Sequence, residues 1–204
     1  PVDVEVRDAL RARSQEGRDR AAVVSHILWY TNQFYTVVID SIVVPLAFDD
    51  GNFDVAWQMT MINWQALGLT GIVTRLAHHS AGRARPSTHG CSDAPGSTNP
   101  CRSGGPGFFA GHVAMTSAGA PLACAHHAAL PLYGYWAVPG AVTCGTLIAG
   151  AAAVGVLRTR ADKHWMTDVI VGHIVGGGIG FGLPWLLHYQ HRVTPDLAFL
   201  GVSQ

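Results

Sequence analysis

From Gly107 to Leu157 the chain runs 51 residues without one Asp, Glu, Lys or Arg. A helix on the surface of a water-soluble domain needs a polar face, so a stretch this long and this bare argues against an ordinary soluble bundle. Ala21–Ile39, Val55–Thr74 and Val169–His191 are equally free of charge. Each run is long enough to cross a hydrocarbon layer of about 30 Å at about 1.5 Å per residue. The long run turns at Pro131-Leu132-Tyr133-Gly134 and so counts as two, which gives five crossings. The expected fold is all-α, a multi-pass transmembrane helical bundle. Asn32, Gln33, Asp40, Asn63 and Gln65 interrupt the first two runs, and a carboxylate such as Asp40 at that depth requires a partner.

Charge gathers elsewhere. Ten of the 26 charged residues fall in the first twenty positions, and the formal net charge is zero, which gives no reason to expect nucleic acid as a partner. Three regions are expected: an Arg-rich N-terminal interfacial helix over 1–20, a helical bundle over 21–191, and a C-terminal tail over 192–204. The segment 78–107 is rich in Ser, Gly, Pro and Arg and holds Cys91 and Cys101. These two are disulfide candidates if the loop meets an oxidising compartment, and free thiols otherwise. Cys124 and Cys144, inside apolar runs, read as buried small hydrophobes. Gly172, Gly176 and Gly180, four apart, suit close helix packing rather than a phosphate loop. His126, His127, His173, His188 and His191 show no ligand spacing shared with a carboxylate or thiolate cluster. Neither a metal nor a cofactor is expected.

The densest polar knot of the second half is Arg158 to Asp168, R-T-R-A-D-K-H-W-M-T-D. His164 and Asp168 are four apart; on a helix they share a face, and the carboxylate can hold the imidazole Nδ1–H and free Nε2. Asp168 is equally suited to cap the following helix, and Arg158 to snorkel from the end of the preceding one. Five crossings bring this knot and the 78–107 loop to the same membrane face.

The motifs there are His78 to Arg85-Pro86, then Phe109-Ala-Gly-His112, then Arg158, five residues, His164, three residues, Asp168. In this order they resemble the type 2 phosphatidic acid phosphatase superfamily, which also contains bacterial acid phosphatases and vanadium haloperoxidases. The resemblance covers about residues 54–190. It implies a helical bundle with a phosphate pocket at one membrane face. It also implies His164 as the nucleophile, Asp168 orienting it, and His112 protonating the leaving oxygen. Arg85, Arg158 and the Gly111 backbone N–H would hold the phosphoryl oxygens. His78 stands where the family has Lys, Phe109 where it has Pro, Ala110 where it has a phosphate-binding Ser, and Leu157 where it has Ser.

By resemblance the chain is an integral membrane phosphatase, a phosphoric ester hydrolase for a lipid phosphate monoester or a polyprenyl diphosphate, working through a phosphohistidine. Its partners are then a membrane lipid substrate and the bilayer. The substitutions at His78 and Ala110 motivate a second expectation, a catalytically impaired relative serving as an accessory subunit of a membrane protein complex. The localisation expected is multi-pass in a bacterial cytoplasmic membrane, with the site facing outside. A Cys91–Cys101 disulfide favours that side, while the arginines at 7, 11, 13, 18 and 20 pull the other way.

Overall fold

The computed structural model describes residues 2–91, 101, 105, 107–134 and 136–190. All regular structure among them is helical: α1 (Val2–Leu10), α2 (Gln15–Phe34), a π-helical stretch (Tyr35–Val43), α3 (Val44–Phe48), α4 (Phe53–Ala81), a 3-10 turn (Pro86–Thr88), α5 (Gly111–Ala129), α6 (Ala137–Arg160), α7 (Met166–Pro184) and a second π-helical stretch (Trp185–Tyr189). Local chemistry sets several boundaries. Ser14 Oγ accepts the Gly17 N–H at 3.1 Å to open α2, and Asn52 Oδ1 accepts the Val55 N–H at 3.1 Å to open α4. Gly82, with φ of 57°, closes α4 in the left-handed region where a missing Cβ removes the penalty.

The core is organised around α5. Val113, Ala114, Ala118, Ala120, Leu122 and Ala123 are fully buried, and α2, α4, α6 and α7 all pack against this helix. The α7 contact is the closest. A Cβ at Gly176 or Gly180 would overlap the carbonyl of Ala114 or Ala118, and one at Gly172 would sit 3.0 Å from the Ala110 oxygen. The glycine stripe is therefore a packing surface, as its spacing suggests.

The outside is the greasy side. Ile27, Trp57, Trp64, Val142, Ile174 and Leu187 are exposed, whereas Asn32, Thr36, Asp40, Ser41, Asn63 and His126 are buried. Among the described residues two segments, Ala137–Arg160 and Met166–Tyr189, are long and apolar enough to cross a membrane. The buried polar groups pair with one another. Asp40 meets His127, whose Nε2 lies 2.7 Å from Oδ1. His126 bridges Asn63 Oδ1 at 2.9 Å and the Tyr189 hydroxyl at 2.6 Å. Ser41 donates to the Thr36 carbonyl five residues back at 2.7 Å, inside the π-helical stretch that turns Thr36, Asp40 and Ser41 inward.

Cys124 and Cys144 are not isolated small hydrophobes. They form a disulfide joining α5 to α6, and a second disulfide joins Cys91 to Cys101. Cys124 lies near the C-terminal end of α5, away from the loop that holds Cys91. One disulfide thus lies toward each end of the bundle, so disulfides alone do not select the side of a membrane on which residues 78–107 lie. The tail at 192–204 falls outside the described residues.

Candidate active site

Three segments distant in sequence are laced together at the end of the bundle where α4 stops, α5 starts, and α6 turns into α7. Trp165 Nε1–H donates to the Ala84 carbonyl at 3.0 Å, and Gly107 N–H to the Arg83 carbonyl at 2.9 Å. Ala110 N–H donates to the Asp168 carbonyl at 3.1 Å. Between them these bonds fix the Arg83–Arg85 loop, the entry to α5 and the turn before α7 relative to one another.

His164 sits in that turn, two residues ahead of α7, and not on a helix face with Asp168. Its Nδ1 therefore meets the Gly107 carbonyl at 3.0 Å, while Asp168 Oδ2 stands 3.8 Å away. A carbonyl only accepts, so Nδ1 carries the proton and a neutral ring keeps its lone pair on Nε2. The imidazole is 2 % exposed. Burial pushes its pKa down to about 4; the Arg158 and Arg85 charges act in the same direction, and Asp168 opposes them. Nε2 is thus unprotonated at neutral pH.

Asp168 has other work. Oδ2 accepts the Trp165 N–H at 3.0 Å, capping α7, and Oδ1 takes Arg83 Nη1 at 2.7 Å. Arg83 also donates to Asp3 Oδ2 and to the Thr167 hydroxyl, both at 2.7 Å. Asp3 in turn accepts the Thr167 N–H at 3.0 Å and its hydroxyl at 2.6 Å. Burial works against the Asp3 carboxylate, yet the Thr167 hydrogen bonds and Arg83 hold its pKa below the ordinary value. α1 is pinned a second time by Asp162, whose oxygens take Arg7 Nε at 2.6 Å and Nη2 at 2.9 Å, with Arg11 Nε 2.9 Å away. Arg7 is buried, so this arginine faces the protein and not a lipid surface.

Both arginines lie within electrostatic reach of His164. Arg85 donates through Nε to the Gly105 carbonyl at 3.0 Å and through Nη1 toward the Lys163 carbonyl at 3.5 Å. Burial lowers its pKa, against the pull of Asp168. Arg158 does not snorkel: it is 4 % exposed at the end of α6. Its guanidinium makes one hydrogen bond among the described residues, a long one of 3.4 Å to Ser25 Oγ; its Nε has no partner, and no described carboxylate pairs with it.

His112, in the first turn of α5, lies within electrostatic reach of Arg158, His164 and Arg85. Its Nε2 is 2.9 Å from Nδ1 of His26 on α2, and the Trp29 ring stands edge-on with centroids 4.5 Å apart. Gly111 leaves no room for a side chain, since a Cβ there would come within 2.9 Å of Thr74 Cγ2. His78 lies beside this entry and gives its Nε2–H to the Phe109 carbonyl at 2.8 Å.

The profile of the PAP2 superfamily matches residues 61–192. The chain belongs to that superfamily. No curated protein and no solved structure is similar enough to add to this match. Membership of the PAP2 superfamily supports phosphatase-type chemistry in general, and the matched span includes every motif segment from His78 to Asp168.

Several groups at this PAP2 site were not legible as motifs. His26, Ser25, Asp3 and the Gly107 carbonyl come from other elements, and Arg83 rather than Arg85 is the arginine that meets Asp168. A cavity of about 560 Å³ lies elsewhere, at the end of the bundle where α5 passes into α6.

Proposed function

We propose that this PAP2 protein is an integral membrane phosphatase hydrolysing a lipid phosphate monoester or a polyprenyl diphosphate, with α2 and α4–α7 as a multi-pass bundle. The observation that carries the proposal is Arg158, a buried guanidinium without a described counter-ion, within electrostatic reach of His164. A buried cation of this kind is strongly favoured by an anion with several oxygens. In the proposed reaction His164 Nε2 attacks phosphorus, and the bond to the leaving oxygen breaks as His112 protonates that oxygen. Water, deprotonated by His112, then attacks the phosphohistidine and frees phosphate. Arg85, Arg158 and the Gly111 N–H stabilise the equatorial oxygens, which is the main demand of phosphoryl transfer. Asp168 acts by holding the turn and Arg83, so it is a positioning residue. The apolar exterior supports entry of the substrate chain from the bilayer.

The test is phosphate release by purified protein from phosphatidic acid and from undecaprenyl diphosphate, with and without His164→Ala. Release by the parent and none by the variant is expected; release by neither overturns the proposal. One observation favours an accessory subunit of a membrane complex instead. The His78 Nε2–H is already given to the Phe109 carbonyl, and Ala110 has no hydroxyl, so two positions that hold phosphate in the family do not reach for it. A stable complex surviving mild detergent, with no turnover, would select that role.

A further inference from the structure

The Asp40–His127 pair takes no part in the proposed chemistry. Asp40 is fully buried, and its Oδ2 has no partner among the described residues. Its Oδ1 receives the Nε2–H of His127 at 2.7 Å. A ring that donates through Nε2 to a carboxylate is held in the tautomer whose Nδ1 lone pair can accept a hydrogen bond. His127 lines the cavity of about 560 Å³, together with Ala128, Ala129, Tyr133 and Trp136. The Tyr133 ring stacks on the imidazole at 5.7 Å and 7°. Gly140 also packs close to this side chain: a Cβ there would come within 3.1 Å of His127 Cβ and 3.2 Å of Nδ1. The ring is thereby held in one plane.

Other acceptors line the same space. α5 ends at Ala129, and Pro131 has no N–H to give the His127 carbonyl. No described donor reaches the carbonyls of His127, Ala128 or Ala129. These are the partially negative end of a helix. No Lys or Arg lines the cavity. The first amides of α6 oppose a cation here, but Pro139 removes one of them. Trp136 is 66 % exposed and offers an aromatic face at the rim.

We propose that this cavity binds a primary ammonium group, which donates one N–H to His127 Nδ1 and the others to the last carbonyls of α5. The site is at the far end of α5 from His112 and stands independently of the phosphatase proposal. Such a group arrives either on a free amine or on a lipid headgroup, and a quaternary ammonium, lacking N–H, is excluded.

The test is titration calorimetry of the full chain in nanodiscs with ethanolamine and with choline. Ethanolamine should bind and choline should not. His127→Gln and Asp40→Asn should weaken ethanolamine by about tenfold or more, the scale of one charge-assisted hydrogen bond. Trp136→Ala, at an exposed residue, should weaken it as well. Competition by phosphatidylethanolamine nanodiscs but not by phosphatidylcholine ones marks a lipid source; equal affinity in both marks a free amine. Equal binding of choline and ethanolamine, undiminished binding by His127→Gln and Trp136→Ala, or no binding of either probe overturns the proposal.

Discussion

The Nδ1–H of His164 is held by the Gly107 carbonyl at 3.0 Å, and the Asp168 carboxylate stands off at 3.8 Å. The tautomer is therefore set by backbone, and the aspartate is free to serve Arg83 and the first turn of α7. Asp168→Asn should keep the cap, because an amide oxygen still accepts the Trp165 N–H, but it removes one of the two carboxylates that hold Arg83. Turnover should fall, and stability by about 1–3 kcal/mol. Asp168→Ala should lose more of both. Denaturant titration beside phosphate release separates the two effects.

Burial of His164 fixes a pH expectation. Its folded pKa is about 4, below the ordinary 6.5, so the unfolded chain binds more protons between those values. Stability contributed by the neutral ring is complete above pH 6.5 and declines as pH falls toward 4. His164→Gln should flatten this part of the stability profile. The nucleophile itself should stay unprotonated to about pH 5, so rapid-quench phosphoenzyme formation should persist on the acid side of 6.5.

His26 should matter to the departure of the leaving group. Its Nδ1 lies 2.9 Å from His112 Nε2, and it is exposed. It is placed to exchange a proton with His112. His26→Ala should slow an alkyl phosphate by about tenfold or more and a p-nitrophenyl phosphate little, since the latter needs scant protonation. Equal slowing of both would reduce His26 to a packing residue.

Asp162 holds Arg7 and Arg11 from a left-handed backbone position, φ 60°, that Asp tolerates. Asp162→Asn preserves that tolerance and removes the charge opposite a buried Arg7. A loss of about 3–5 kcal/mol is expected, the range for breaking one side of a buried ion pair. Thermal unfolding of the variant beside Arg7→Met/Asp162→Asn checks it; the double variant should recover part of the loss.

What the sequence displayed was spacing. The order of His78, Arg85, His112, Arg158, His164 and Asp168 picked out one end of the bundle, and the four-residue glycine step of α7 picked out its closest contact. What it withheld were partners brought in by tertiary structure. Asp3 and Thr167 are separated by 164 residues, His26 and His112 by 86, Asp40 and His127 by 87, and no periodicity links such pairs. The four-residue step from His164 to Asp168 promised a shared helix face, but helical geometry begins only at Met166. Cys124 and Cys144 sit in apolar runs whose composition is that of a core, which hid their bond.

The bridge from Asp3 through Arg83 to Asp168 bears on how the molecule can be handled. A fluorescent or affinity fusion placed immediately upstream of Asp3 would tug on α1, and two side chains would carry that disturbance to the cap of α7. A label inserted near Gly134, at the opposite end, would leave the clasp undisturbed.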